Sequence, residues 1–327
     1  MKKLHEKSPC CQGRIRRFGK RRRQCSVCKK TWRVWRRKRG KKKSRTSSDF
    51  FLRYLDHQIP SLHGLAKIRK LPESTIRYRL KASRQKFVTK TPWPRLPQNE
   101  PSLVIADAAI QFVEGSFWTF YFILIRRVND DFAYPAPPYI RKGSEVATGW
   151  YEAFNLLPDG VKGSISALIC DGHGGLTSLG KRQNWIVQRC HFHLIARIQS
   201  RRSKWRSSRH RTEGKMIYEL VKKVLTVKRK KSIPKYLSKI KQLALMPSNS
   251  FELKTTLLGF TKHYQDYRSY IGYPKLHLPR TTNAIESVIG SIRNICHRAK
   301  GFRTLNSLEN WIIAFLKTKQ KFKCRGQ

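Results

Sequence analysis

Residues 103–128 run LVIADAAIQFVEGSFWTFYFILIRRV. Leu103 to Asp107 is a short buried-strand run ending in a carboxylate, Glu114-Gly115-Ser116 turns the chain, and Phe117 to Val128 reads as a long strand. Asn129-Asp130 turns it again, toward a Pro-containing third strand near Phe132 to Ile140 that suits a sheet edge. Glu145 to Leu157 then has helical spacing, and Ser166 to Cys170 is a second apolar strand that ends in a carboxylate, Asp171. Ile186 to Arg189 reads as a further short strand, after which a helix starts at Cys190. Three meandering strands, a helix, then strand and helix predict an α/β fold, a mixed sheet flanked by helices.

On the C-terminal side the strand signal stops from about Gln199 to Tyr273. Met216, Ile217, Leu220, Val221, Val224 and Leu225 form a helical stripe, and Tyr236 to Leu245 and Phe251 to Tyr270 also read as helix. This is a basic, all-helical insertion (199–274). Two more helical stretches follow in 275–327, one from Asn283 through Ile295 and one carrying Leu308, Trp311, Ile312 and Phe315. On the N-terminal side, Thr91 to Pro101 holds four prolines and reads as an extended linker. Before it, Leu62, Leu65, Ala66 and Ile68 predict one short helix. Leu71-Pro72-Glu73 breaks that helix, and Ser74 can cap a second that turns Ile76 and Leu80 inward. The outer face then offers Arg77, Tyr78, Arg79 and Lys81 to DNA, as in a helix-turn-helix occupying 49–98 with its linker. A bland helical hairpin shares the same pattern.

Seventy-one Lys and Arg against 19 Asp and Glu give the 327 residues a net charge of +52. Self-repulsion on that scale opposes compaction, so a polyanionic partner is implied, DNA first, with structured RNA as a rival. The run Phe117 to Ile125 is too short to span a bilayer, and no hydrophobic targeting segment follows the first lysines, so a cytoplasmic, nucleoid-associated protein is expected, with no membrane. Residues 1–48 hold 21 of the basic residues and one acid, Glu6. Cys25-Ser26-Val27-Cys28 there is the usual half-site of tetrahedral zinc. The upstream half is Ser8-Pro9-Cys10-Cys11-Gln12-Gly13, in which Ser8 holds the place of an expected ligand. Cys11 is therefore joined by either Cys10 or His5 in a zinc-ribbon-like segment. Arg33, Arg36 and Arg37, interleaved with Trp32 and Trp35, are its candidate DNA contacts.

With so few acids, a carboxylate at the end of each of two core strands calls for a reason. Neighbouring parallel strands would bring Asp107 and Asp171 together, where they repel unless a cation lies between them. Magnesium or manganese, as a pair of ions, supplies that cation in phosphoryl transfer. Glu286, in Thr281-Thr282-Asn283-Ala284-Ile285-Glu286-Ser287, is the candidate third carboxylate, with Asn283 as helix cap in a capping-box-like arrangement.

Three blocks now stand in order. They are Cys170-Asp171-Gly172-His173-Gly174-Gly175-Leu176, Gln188-Arg189-Cys190-His191-Phe192-His193, and the block around Glu286. Together they resemble the signature of Mutator-like transposases, most closely the bacterial and archaeal insertion-sequence branch, over roughly residues 100 to 315. The resemblance implies an RNase H-like catalytic domain (99–198 and 275–327) with Asp107, Asp171 and Glu286 as an Asp-Asp-Glu triad. Cys190 and His193 match the family's Cys-x-x-His element; read on their own, they are also half a zinc site. The implied activity is cleavage at an element's terminal inverted repeats and strand transfer into target DNA, by an oligomer assembled on DNA. A transposase-derived regulator that binds DNA without catalysis is the alternative.

Overall fold

The computed structural model describes residues 7–8, 10–18, 22–33, 51–52, 55, 61–202, 211–247, 249–299 and 301–324. The chain forms two compact units, Met1–Asp49 and Phe50–Gln327. The first unit holds an antiparallel sheet of β1 (Ile15–Phe18), β2 (Arg22–Cys25) and β3 (Thr31–Arg33).

The second unit is built on a sheet of seven strands. They are β4 (Ser102–Val113), β5 (Ser116–Arg127), β6 (Phe132–Pro135), β7 (Tyr139–Lys142), β8 (Ile165–Cys170), β9 (Ile186–Arg189) and β10 (Phe322–Lys323). Their order is β10-β6-β5-β4-β8-β9, with β7 on the same edge of β5 as β6. β4, β5 and β6 meander antiparallel, whereas β8 and β9 run parallel to β4. Three antiparallel strands continued by two parallel ones make the RNase H-like sheet. β4 continues six residues past Asp107, because Glu114 and Gly115 alone make the turn, both in the left-handed region (φ 53° and 69°). The single third strand read near Phe132 to Ile140 is two strands, since Pro135, Pro137 and Pro138 interrupt it.

One face of the sheet is covered by α9 (Asn283–Arg298) and α10 (Leu305–Lys319), together with the hairpin of α1 (Leu62–Arg69) and α2 (Glu73–Lys90). The other face is covered by α3 (Ala147–Asn155) and α4 (Gly174–Arg182), through Trp150, Phe154, Leu176 and Leu179. A separate core joins α5 (His191–Arg202), through Leu194 and Ile198, to α6 (Arg211–Thr226), α7 (Ile233–Ala244) and α8 (Phe251–His263). The helix expected to run on to Tyr270 stops at His263. Its continuation turns inward, where the carbonyl of Asp266 accepts from the Arg189 amide (2.8 Å) and that of Tyr267 from the Gln188 side chain (3.1 Å). Among the described residues no helix is long and apolar enough to cross a membrane.

The α1–α2 hairpin is part of this unit's core. Ile76 and Leu80 face inward as expected, and Arg77, Tyr78, Arg79 and Lys81 are exposed. Two local expectations fail: Ile68 is 73% exposed, and α2 starts at Glu73 behind Pro72, so Ser74 is not its cap. Proline fits a helix start because its missing N–H would be unpaired there in any case. Ser61 caps α1 by accepting from the Gly64 amide (3.0 Å).

Candidate active site

Strand pairing sets the two aspartates side by side. Ala106 is the partner of Cys170 in the parallel β4–β8 ladder, so Asp107 and Asp171 follow side by side where that ladder ends, Asp171 just past β8 and Asp107 midway along β4. The chain leaves β8 through Gly172, whose φ of 99° favours glycine; a Cβ there would also meet the Arg189 side chain at 3.2 Å. Oδ1 of Asp171 accepts from the His173 amide (2.8 Å) and fixes this turn, while Oδ2 lies 3.8 Å from Arg197. Oδ1 of Asp107 accepts from the Ala108 amide (2.8 Å).

Glu286 arrives from the other end of the chain on α9, whose apolar face (Ile285, Val288, Ile289, Ile292, Ile295) is buried against the sheet. The N-cap of α9 is Thr282, not Asn283, and no side chain caps it. The Thr282 hydroxyl is engaged elsewhere: it and the Thr282 amide both donate to the Cys190 sulfur, at 3.2 and 3.3 Å. The His191 amide donates to the Arg280 carbonyl (2.9 Å). Cys190 is therefore a buried clasp between the starts of α5 and α9. It belongs to no metal-binding group among the described residues, whereas Asn283 is exposed.

That clasp carries His193 to Glu286. Nε2 of His193 is 2.5 Å from Oε1 of Glu286 and 3.7 Å from Oδ2 of Asp107, and donor atoms of the three residues lie within 4.8 Å of one another. Asp171 is outside this trio, but its charge is felt in it. Burial first, then the charges of Asp171 and Glu286, push the Asp107 carboxyl up to about 7. The His193 contact holds the Glu286 carboxyl below its ordinary value, and the same contact raises His193 against the effect of burial. Oε1 of Glu286 and Nε2 of His193 are buried with no hydrogen bond of good geometry. Clustered carboxylate oxygens with unsatisfied buried atoms fit a hard divalent cation.

Two neighbours carried no sequence signal. Glu145, just before α3, accepts from the Trp150 indole (2.8 Å) and faces Nδ1 of His173 at 3.5 Å; burial raises its carboxyl. Arg197, one turn beyond His193, faces Asp171. Both partnerships form only through tertiary packing, although the scarcity of acids marks every carboxylate as worth tracing.

In the first unit, the sulfurs of Cys10, Cys11, Cys25 and Cys28 lie within 4.8 Å of one another, including pairs at 3.1 Å (Cys11 and Cys25) and 3.3 Å (Cys10 and Cys28). Cys10 is the residue that joins Cys11 here; His5, Arg36 and Arg37 lie outside the described residues, as does the side chain of Arg33. Ser8 is buried beneath the thiols, and its hydroxyl donates to the Cys25 sulfur (3.1 Å), lowering that thiol to about 5. Four converging thiols, one already favouring its thiolate, fit tetrahedral zinc.

The family model described as Transposase, Mutator family, matches residues 139–324. That span includes Asp171, Cys190, His193 and Glu286, whereas Asp107 lies before it. No curated protein matches the chain. Among solved structures, the chain is similar to the Drosophila P element transposase strand transfer complex. The TM-score is 0.42 and the identity 10%, covering 83% of this chain and 91% of that one.

Proposed function

The chain belongs to the Mutator family of transposases, and from that membership we propose that it cuts and rejoins DNA for a mobile element of the insertion-sequence type. In this reading it binds the element's terminal inverted repeats, hydrolyses the strand at each end to free a 3′ hydroxyl, and joins that hydroxyl to target DNA. The observation that carries the reading is the convergence of Asp107 and Glu286, 179 positions apart, on one half-buried recess where the β4–β8 pairing ends, beside Asp171 at the end of β8.

Asp107, Asp171 and Glu286 would hold two magnesium or manganese ions, which when bound polarise the phosphate and stabilise the attacking and leaving oxygens. His193 offsets the repulsion between Asp107 and Glu286 and holds the two side chains close. Cys190 keeps α9, and with it Glu286, in place. Arg197 puts a positive charge at the rim beside Asp171, where a phosphodiester has to approach. Attack by water or a 3′ hydroxyl requires no covalent enzyme intermediate, so no nucleophilic side chain is needed. The exposed face of α2 and the cysteine-clustered first unit, with a structural zinc ion, are assigned to reading the terminal repeats. The basic helices α6 to α8 are assigned to the flanking DNA. Joining two ends calls for at least two copies on DNA.

Strand transfer with magnesium, comparing the wild type with Asp171→Ala, tests the reading. Cleaved and joined products from the wild type and none from the variant are expected. Equal product from both, or none from either, rejects catalysis and leaves a DNA-binding regulator.

A further inference from the structure

The tip of the β4–β5 hairpin carries exposed aromatic side chains that the chemistry above does not use. β8 pairs with β4 only as far as Ala106, and β7 pairs with β5 only from Trp118 onward. Among the described residues the strand segments at 112–117 therefore pair only with each other, although the Gly143 amide donates to the Phe117 carbonyl (2.8 Å) and Val113 is buried on the opposite face. Phe112 is the cross-strand partner of Phe117, and Ile110 that of Thr119. Strand alternation therefore puts Ile110, Phe112 and Phe117 on one face, opposite to the face of Asp107. They are 48%, 62% and 60% exposed, and the two phenyl rings meet edge to face at 5.1 Å. The two-residue turn at Glu114-Gly115, both residues in the left-handed region, closes the hairpin tightly. Lys142, exposed and paired with Trp118, and Arg141, paired with Thr119, stand at its root.

We propose that this tip is a wedge which inserts Phe112 and Phe117 between base steps of the target duplex and kinks it. The inference rests on the transposase reading, since it assumes a target. Duplex DNA fits the tip on three counts. A second copy carries the same net charge of +52, whereas phosphates complement the exposed Lys142; Arg141 beside it is held by Glu152 (3.7 Å) and Thr148. The exposed aromatic side chains sit on a two-stranded hairpin end, a narrow element of the kind that separates stacked bases, and not on a broad flat patch. Ile110, Phe112 and Phe117 carry no hydrogen-bonding side-chain atom, so they read how easily a step deforms and not which bases form it; this suits a target of unfixed sequence better than a terminal repeat. Phe112 lies five residues beyond Asp107, about 17 Å along the strand at about 3.4 Å per residue, or about five base-pair steps.

The test uses the full chain and its Phe112→Ala/Phe117→Ala double variant. Binding is read with Asp107→Asn in both proteins, by the fluorescence of 2-aminopurine placed along a target duplex; unstacking brightens it. A bright position is expected with Asp107→Asn alone and none with the triple variant. In the strand-transfer assay, the double variant is expected to cleave terminal-repeat ends at the wild-type rate. Its joining to a fully paired target should fall by about tenfold, and a target carrying a two-base mismatch, already cheap to kink, should restore it. Equal loss on paired and mismatched targets overturns the proposal, as does an unchanged fluorescence profile. A lower sedimentation coefficient for the double variant overturns it in favour of an interface between copies. Because the fluorescence arm needs no catalysis, it still decides the wedge if the wild type makes no product, in which case the transposase reading fails separately.

Discussion

Asp107 is the residue whose electrostatics say most about the recess. Its carboxyl ordinarily titrates near 3.8 and stands at about 7 in the fold. Between those values the folded, metal-free chain keeps a proton that the unfolded chain has released. The stability tied to this group is therefore present at low pH and lost as pH rises through about 7. A bound cation replaces the proton, so magnesium should raise the unfolding temperature more at pH 8 than at pH 5.5. Asp107→Asn should remove that difference, as thermal unfolding with and without magnesium will show. Cys190 gives a second prediction at this scale. Cys190→Ala leaves the Thr282 amide and hydroxyl without their acceptor and should cost about 1–3 kcal/mol in denaturant unfolding. Strand transfer should fall with it, and Cys190→Ser should recover part of both. The aspartates could be read from the sequence because each follows an apolar run, and such runs can be located one at a time, although β4 continues beyond Asp107. The pairing of Glu145 with His173, and the clasp of Cys190 on Thr282, could not. In each, the two halves are unremarkable until packing brings them together across 28 and 92 positions.

At the scale of elements, α9 matters most, because it delivers Glu286 by burying an apolar stripe against the sheet. Ile292, 1% exposed, lies in the middle of that stripe. Ile292→Ala should destabilise the second unit by about 3 kcal/mol through lost burial and the cavity left behind, measured by chemical denaturation. Lys317 on α10 performs a different task. Its ammonium donates to the carbonyls of Val88 and Thr91 (2.8 and 2.7 Å), satisfying the end of α2 and fixing the α1–α2 hairpin to the core. A lysine late in a basic chain gives no hint of that role. The elements themselves were largely legible: β9 and the start of α5 fall where apolar spacing puts them. Misreadings cluster where a contact distant in sequence overrides local preference, as where α8 ends early so that Asp266 and Tyr267 can serve β9 and its neighbours.

For the whole molecule, the charge of +52 makes a quantitative prediction. If about eight phosphates are neutralised, the log–log slope of DNA affinity against salt should be near −7, measurable by titration at several ionic strengths. The cysteine cluster gives another. A strong zinc chelator should weaken binding to terminal-repeat DNA while leaving the helical circular-dichroism signal of the second unit intact, since the two units are compact separately. One feature of the architecture also bears on how such a chain is made. Glu286 is the last of the three acidic residues to be synthesised, and it reaches the others only when α9 docks on a sheet whose strands β4 and β8 were translated long before. A chain still being threaded from the ribosome, or one cut short before that helix, has its aspartates and much of its positive charge but cannot close the recess. On the proposed reading, an unfinished copy has no complete site for strand cleavage.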